Sequence, residues 1–358
     1  MNASTDLNPL RSSDRLLVLV PHPDDETLAC GELIQQALAA GAQVRVVFAT
    51  DGDNNPWPQR WLENRWTLGA DARKRWGERR RAEATAALEI LGVTHDSIRF
   101  LGWPDQGITA KLLAGSGAET ELAMEISGFS PSVIACPALR DTHPDHSALR
   151  VMLELVLAGS PHSHCRRLGF AVHGASDRSA DVNVIATPEQ HARKLRALAE
   201  HKTQVSLSGR RLAKLAASPE SFETISMSPA RERTGMQWIA SLPVGHARLG
   251  ARHRDVLLAL ATQRGTVRAV WPLPSAGHVA EAACEIDGTT ARVRIDTRTR
   301  QIAVDIPENV RVLTGFVKVE RAWPRFVVFD HAGWNSLRNH ESPVEEATAA
   351  PHANPVQA

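Results

Sequence analysis

The sequence predicts an α/β fold: a Rossmann-like, mostly parallel sheet with helices on both faces, plus a small C-terminal antiparallel β unit. Two all-apolar runs, Leu16–Val20 and Val133–Cys136, are typical of strands buried on both faces of a parallel sheet. Such runs alternate with segments of helical periodicity, which indicates consecutive βαβ units. After about residue 260 the pattern changes to period two, which favours exposed antiparallel strands.

The first βαβ unit is predicted from three consecutive segments. The strand Leu16–Val20 precedes a helix at Leu28–Ala40, whose apolar positions share one face and which ends at Gly41. A second strand, Val44–Ala49, runs into the turn sequence Thr50-Asp51-Gly52-Asp53. A strand, a helix and a strand within about 35 residues fit the size of one βαβ unit.

The alternation continues through the next hundred and fifty or so residues. The remaining predicted elements are helices at 78–91, 119–126, 145–157 and 188–205 and strands at 97–101, 132–136, 168–173 and 182–186. The stretch 54–76 holds four tryptophans among polar residues, and we expect a long loop or short helix near the site. In sheets of this class, ligands bind at the carboxyl ends of the strands.

The C-terminal third is predicted to be a separate β-rich unit. Segments 291–296 and 301–306 alternate apolar and polar residues, and the four residues between them are suited to close a hairpin. We therefore expect a catalytic domain at 14–260, an accessory β-rich unit at 264–338 and a disordered tail at 341–358, which is rich in Glu, Ala and Pro.

Composition excludes several classes of function. The 41 Lys and Arg residues balance 40 Asp and Glu residues, so nothing in the global charge indicates nucleic acid or an anionic membrane. No apolar run approaches the ~18 residues of a membrane span, and no signal peptide is evident at the N-terminus. The four scattered cysteines form no Cys-x-x-Cys pair, which favours reduced thiols in a cytoplasmic protein and argues against a thiolate zinc site.

Two clusters of His and Asp residues follow predicted strands. His22-Pro23-Asp24-Asp25-Glu26 comes directly after the first strand, and His143-Pro144-Asp145-His146 follows the strand at 132–136. Three carboxylates within five residues at the edge of a core are costly unless a cation compensates them. The two clusters therefore predict one metal site assembled from two loops.

The chemistry of such a site assigns a role to each side chain. Zinc hydrolases commonly use two His and one carboxylate, which predicts His22, Asp25 and His146 as ligands. The metal would lower the pKa of its water towards ~7. Asp24 is the candidate general base, and His143 would stabilise an oxyanion or protonate the leaving amine. Asp145 would hold the tautomer of His143.

These motifs resemble the LmbE-like, or PIG-L, family of zinc-dependent N-deacetylases. Three further matches fall in the expected order: Thr50-Asp51-Gly52, Arg80-Arg81-Ala82-Glu83 and Pro104-Asp105. A later helix with Lys194, His201 and Gln204 extends the resemblance, which covers about residues 14–205. It implies one zinc ion per chain on His22, Asp25 and His146, with Asp24 as base and His143 assisted by Asp145. It also implies substrate contacts from Arg80 and Asp105.

The resemblance implies hydrolysis of an N-acyl group, most often N-acetyl, on an amino sugar or glycoconjugate. Two alternatives stay open: an amidase for a non-sugar amide with the same metal chemistry, and a catalytically silent binding protein of the same fold. Trp57, Trp61 and Trp66 could stack on a substrate or simply pack in their loop. The expected partner is a small N-acetylated molecule; a homo-oligomer is compatible with the sequence.

Overall fold

A computed structural model describes residues 5–115, 117–173, 181–217, 219–225, 236–242, 254–321, 329–330 and 333–339. The tail predicted at 341–358 lies outside these residues. Within them, no helix combines the length and the apolar composition that crossing a membrane requires.

The predicted parallel sheet is confirmed. Its eight strands have the spatial order β1-β7-β8-β6-β5-β2-β3-β4. The five strands β6, β5, β2, β3 and β4 are mutually parallel, and β8 runs antiparallel to both of its neighbours. The bounds are β1 Thr5–Asp6, β2 Arg15–Val20, β3 Gln43–Thr50, β4 Ile98–Trp103, β5 Val133–Pro137, β6 Arg166–Phe170, β7 Val182–Val184 and β8 Glu220–Thr224.

Helices connect these strands and cover both faces of the sheet. Their bounds are α1 Asp25–Ala39, α2 Pro56–Glu63, α3 Ala70–Leu91, α4 Ile108–Ala114, α5 Ala118–Phe129, α6 Pro144–Leu157, α7 Pro188–Glu200 and α8 Lys202–Leu215, with short 3-10 turns at His95–Ser97 and Pro161–His164. The Trp-rich stretch is thus α2, a connection and the first turns of α3.

The central strand β2 shows why the fold needs its apolar runs. Leu16, Val18 and Val20 point into a core that includes α1, α3 and α7 residues. Leu17 and Leu19 point into a second core with α5 and α6 residues. Every one of these five side chains is fully enclosed. A strand covered on both faces has no position for a polar residue, and the sequence is apolar throughout.

The C-terminal region forms two antiparallel sheets, as predicted. Their spatial orders are β11-β10-β15-β16 and β12-β13-β14-β9-β17. The bounds are β9 Gln237–Ser241, β10 Arg254–Thr262, β11 Thr266–Pro272, β12 Val279–Ile286, β13 Thr289–Asp296, β14 Gln301–Asp305, β15 Val312–Arg321, β16 Asn335–Ser336 and β17 Arg338–Asn339.

Strand pairing crosses the predicted boundary near residue 260. Strand β9 pairs with β14, and β10 pairs with both β11 and β15, although β9 lies wholly and β10 largely before residue 260. The two faces of β10 explain this arrangement: Leu258 belongs to the core between the two antiparallel sheets, whereas Leu257 packs in the core beside α6. The division into domains stays a prediction, and by pairing the β unit includes residues from Gln237 onward.

The sheet order positions the two polar clusters. Strand β2 lies between β3 and β5. From β2 the chain adds β3 and β4 on one side, and it then returns to add β5 and β6 on the other side, so the strand order reverses at the β2–β5 pair. Parallel strands leave a crevice beyond their carboxyl ends at such a reversal. The residues after β2 and those after β5 meet in that crevice.

Candidate metal centre and active site

The first cluster turns sharply between β2 and α1. Asp24 adopts a φ of 129°, which residues with a Cβ rarely adopt, and Glu26 Oε2 accepts the Asp24 N–H at 2.9 Å. Glu26 is fully buried and lies 3.0 Å from His201 Nε2. Strain of this kind persists only where the surroundings hold it, and it concentrates at functional sites.

The predicted ligands His22, Asp25 and His146 lie together. Asp25 Oδ2 is 3.3 Å from His22 Nδ1 and 3.3 Å from His146 Nε2. His146 is fully buried at the start of α6, and His22 and Asp25 are nearly so. The fold thus joins two side chains after β2 to one that follows β5.

This geometry fits a small divalent cation. Nitrogen and oxygen ligands bound at ~2.0–2.1 Å in a tetrahedron lie about 3.3–3.4 Å from one another, which matches both separations from Asp25 Oδ2. His22, His143 and His146 also offer donor atoms that all lie within 4.8 Å of one another. The residues present therefore suit a metal ion.

The charges of the buried side chains in this cluster also favour a bound cation. Burial opposes a charge on His146, but Asp141 and Asp25 outweigh it and raise the pKa of His146 to about 10. Burial likewise opposes ionisation of Asp25, yet His146 and His22 hold the pKa of that carboxyl well below its usual range. Surroundings that favour positive charge on His146 and negative charge on Asp25 also favour a bound cation.

Asp24 lies beside these ligands in a different setting. Burial raises the pKa of Asp24 to about 6, although the charge of Arg80 lowers it. Arg80 Nη2 is 3.5 Å from Asp24 Oδ1, so the carboxylate has a fixed cationic neighbour. A buried carboxylate with a pKa just below neutrality is suited to accept a proton at neutral pH.

Arg80 has partners other than the predicted substrate. Its guanidinium donates to the Gly52 carbonyl at 2.8 Å and to the Pro23 carbonyl at 2.5 Å, and only 4% of the residue is exposed. Glycine at position 52, with a φ of +61°, leaves room for this approach, because a Cβ there would lie 1.8 Å from Arg80 Nη1. Arg80 therefore binds the turn that contains Pro23 and the turn that contains Gly52, and a substrate contact for it stays a prediction.

Asp105 approaches the first cluster from the loop after β4. Its Oδ1 lies 3.2 Å from His22 Nε2, and its Oδ2 accepts the Asn54 N–H at 2.9 Å. Burial opposes ionisation, but the contact with His22 keeps the pKa of Asp105 below its usual value. Asp105 thus orients His22, and a substrate contact for it stays a prediction.

His143 and Asp145 interact through the backbone. The Asp145 N–H donates to His143 Nδ1 at 3.2 Å, while the Asp145 carboxylate accepts the N–H groups of Gln106 and Ile108. That carboxylate also lies 3.3 Å from His22 Nε2. The expected tautomer of His143 is therefore held by the main chain of Asp145, because the carboxylate is engaged elsewhere.

Asp141 is a buried residue that sequence reasoning missed. Its Oδ1 accepts the His143 N–H at 2.9 Å, and its Oδ2 accepts the Val172 and His173 N–H groups at 2.9 and 3.1 Å. The same Oδ2 lies 3.0 Å from His146 Nδ1. Asp141 stands only two residues before His143, and its place beside a predicted ligand cluster is the signal that could have identified it.

Two aromatic residues also complete the histidine cluster. The rings of His146 and His173 lie 5.0 Å apart, and the ring of Phe329 lies 4.9 Å from that of His173 and 5.8 Å from that of His143. His173 follows β6, whereas Phe329 follows β15 of the C-terminal unit. Sequence periodicity offered no signal for either contact.

The matched residues of the later helix occupy supporting positions. Lys194 is fully buried and lies 2.8 Å from Glu220 Oε1, and His201 contacts Glu26. Gln204 accepts a hydrogen bond from the Asn55 side chain at 3.1 Å, which joins α8 to the start of α2.

Three of the four tryptophans in the 54–76 stretch are largely exposed. Trp57, Trp61 and Trp66 are 67%, 71% and 82% exposed, whereas Trp76 is buried in α3. Their exposure argues against extensive packing of these rings, and stacking on a substrate stays a prediction.

Comparison with known proteins places the chain in a family. The family described as PIG-L: GlcNAc-PI de-N-acetylase matches residues 17–156. A 1D-myo-inositol 2-acetamido-2-deoxy-alpha-D-glucopyranoside deacetylase from Mycolicibacterium vanbaalenii is 31% identical over 283 residues, 64% of this chain and 97% of the relative. A deacetylase of the same name from Actinosynnema mirum is 33% identical over 193 residues, 49% of this chain and 66% of the relative. The crystal structure of N,N'-diacetylchitobiose deacetylase from Pyrococcus horikoshii has a TM-score of 0.48 and 18% identity, covering 61% of this chain and 86% of that chain. With this match and a relative covered over nearly its full length, the chain belongs to the PIG-L family of de-N-acetylases.

Proposed function

We propose that this protein is a zinc-dependent hydrolase that removes an N-acetyl group from an amino sugar or glycoconjugate. The observation that carries the proposal is the position of Asp25 Oδ2, 3.3 Å from both His22 Nδ1 and His146 Nε2, with Asp24 beside it. The relatives that match the chain are named as deacetylases of an acetamido-sugar linked to inositol, which supports the substrate class.

In this proposal His22, Asp25 and His146 hold the zinc ion. Two nitrogens and one oxygen form the ligand set of many catalytic zinc sites, which leave a position open for water or substrate. Bound zinc supplies a Lewis acid for the amide carbonyl and lowers the pKa of water towards ~7. The contacts of Asp105 and Asp145 with His22 Nε2, and of Asp141 with His146 Nδ1, orient both imidazoles from behind.

Asp24 acts as the general base. Its pKa of about 6 keeps it largely ionised at neutral pH, so it can take a proton from the attacking water. The Glu26 hydrogen bond and Arg80 fix the carboxylate where the turn presents it to the crevice. A carboxylate that has taken this proton can return it to the departing amine.

His143 stabilises the oxyanion and assists the leaving group. Because its Nδ1 accepts the Asp145 N–H, the proton of the neutral ring sits on Nε2. Burial and the charges of His22 and His146 hold the pKa of His143 well below its usual value, so the ring is a neutral donor. A neutral imidazole N–H that faces the site can bind the charge that develops on the carbonyl oxygen.

Two variants test this assignment. Asp24→Ala should retain zinc and lose about 10²- to 10⁴-fold in kcat, because only a proton acceptor is removed. His146→Ala should lose zinc as well. The measurements are zinc content by mass spectrometry and acetate release from a panel of N-acetylated amino sugars and non-sugar N-acetyl amides, with exposed His95→Ala as the control imidazole variant.

The outcomes separate the candidate functions. Equal zinc loss in both variants would contradict the division of roles between Asp24 and His146. Acetate release from the non-sugar amides alone would replace the amino-sugar assignment with a general amidase. Zinc binding without turnover on any member of the panel would favour a silent binding protein.

A further inference from the structure

We propose that His173 is an additional ligand of the metal held by His22, Asp25 and His146, so that the centre has three imidazoles and one carboxylate. This inference rests on the metal site of the proposed function. It adds a residue outside both sequence clusters, from the segment that follows β6.

The backbone of His173 is fixed to the second cluster. Strand β6 pairs in parallel with β5, so the residues after both strands emerge at the same edge of the sheet. One oxygen, Asp141 Oδ2, accepts the His173 N–H at 3.1 Å and lies 3.0 Å from His146 Nδ1. A single buried carboxylate therefore sets the positions of His146 and His173 relative to each other.

The ring of His173 packs among other rings, including that of His143 at a centroid distance of 5.6 Å. Its centroid lies 5.0 Å from that of His146 and 4.9 Å from that of Phe329. Phe329 is held in turn by its neighbour, because Asp330 donates its N–H to the Thr142 carbonyl at 2.8 Å and its carboxylate contacts buried Lys318 at 2.5 Å. The C-terminal unit thus contributes a ring that packs against His173.

A nitrogen of His173 lies near two of the proposed ligands. Asp25, His146 and His173 each offer one donor atom, and these atoms all lie within 4.8 Å of one another. The Nδ1 of His173 is buried and has no hydrogen-bond partner among the described residues. A buried imidazole nitrogen without a partner is costly, and coordination to a cation would satisfy it.

An imidazole nitrogen binds zinc in the neutral form of the ring, and the unpartnered Nδ1 of His173 can bind in this way. Zinc in catalytic sites expands from four to five ligands, so a fourth protein ligand still leaves a position for water. The competing role for His173 is that of a hydrogen-bond donor to the substrate oxygen, which would leave the metal with two imidazoles.

X-ray absorption at the zinc K-edge distinguishes these roles without turnover, because outer-shell scattering counts the imidazoles around the metal. We expect three imidazoles per zinc in the wild-type protein loaded with one equivalent of zinc. His173→Ala should show two, with zinc affinity weakened about 10- to 100-fold, since even partners behind the ligands contribute this much. His95→Ala, which removes an exposed imidazole, should leave both values unchanged.

Because His143 also lies within reach of the metal, His143→Ala is the matched variant and should still show three imidazoles per zinc. This comparison keeps the test decisive if His173→Ala does not fold, which thermal unfolding of the apo protein would reveal. Two imidazoles in wild type, an unchanged zinc affinity in a folded His173→Ala variant, or a second zinc per chain would each overturn the assignment. An active deacetylase with two imidazoles would overturn only this inference. Three imidazoles with no acetate release would preserve the ligand set and remove the proposed function.

Discussion

The two polar clusters of the site are supported by different parts of the molecule. The cluster after β2 is held by side chains from distant helices: Arg80 of α3 binds its turn, and His201, between α7 and α8, binds Glu26. The cluster after β5 is held from within its own loop by Asp141 and from outside by the segment at Phe329 and Asp330.

In the proposed function, this difference separates proton transfer from metal binding. The residues that hold the first cluster, Arg80 and His201, act on the turn that contains Asp24, the proposed base. Replacing them should therefore affect proton transfer more than metal affinity. Asp141 and the segment at Phe329 and Asp330 hold the imidazoles of His143, His146 and His173. Replacing these residues should therefore affect metal affinity and folding. Variants in each set of supports can therefore test the division.

Asp141→Ala should have the largest effect. It leaves three N–H groups, two of them buried, without an acceptor and His146 without its partner, which should lower the free energy of unfolding by about 3–5 kcal/mol. Zinc affinity should weaken about 10- to 100-fold. Denaturant unfolding of the apo protein and zinc titration measure both, with exposed Asp96→Ala as the control. A stable variant with wild-type affinity would show that the second cluster does not depend on this carboxylate.

Lys318→Met should have the second-largest effect, a loss of about 3 kcal/mol in the free energy of unfolding. The ammonium is fully buried and its partner Asp330 is 5% exposed, so removal of one member leaves an uncompensated charge. The double variant Lys318→Met/Asp330→Leu should recover most of this loss, because no charge then remains buried. If the single and double variants are equally unstable, the pair does not anchor the segment beside His143.

Arg80→Met should lower kcat about 100-fold, equivalent to about 2.7 kcal/mol, with zinc content and KM nearly unchanged. The change removes the hydrogen bonds to the turns around Asp24 and its cationic neighbour, while the volume is conserved. Steady-state kinetics on the preferred N-acetyl sugar measure kcat and KM separately, with exposed Arg73→Met as the control. A rise in KM at constant kcat would instead restore Arg80 to the role of substrate contact.

Replacing Trp57, Trp61 and Trp66 together by Ser should have the smallest effect on stability, within about ±0.5 kcal/mol for each site. All three rings are more than two-thirds exposed and belong to neither set of supports. Thermal unfolding measures the change. A loss of several kcal/mol in the free energy of unfolding would mean that the α2 region helps to hold the first cluster in place.

Local sequence pattern predicted the parallel sheet because buried strands and amphipathic helices carry their signal in neighbouring residues. Leu16–Val20 is apolar at every position since both faces of β2 are covered. The domain boundary was harder to predict for the same reason. Strand β9 pairs with β14, some sixty residues later in the chain, and the pattern of five residues does not indicate so distant a partner.

The site was predicted where its residues form short motifs. The predicted ligands His22, Asp25 and His146 lie together because strand order brings the ends of β2 and β5 side by side. His173 and Phe329 stand alone in the sequence, and only the positions of β6 and β15 bring them to the histidines. Residue type and motif also do not reveal that two donors of Arg80 bind the Pro23 and Gly52 carbonyls.

The central claim is that one zinc ion joins the two clusters. Anomalous diffraction from crystals of the zinc-loaded protein, recorded on both sides of the zinc edge, tests it most directly. The account predicts one peak per chain, about 2.0–2.2 Å from His22 Nδ1, Asp25 Oδ2 and His146 Nε2. A peak that contacts only one of the two clusters, or none at this site in an active preparation, would contradict it.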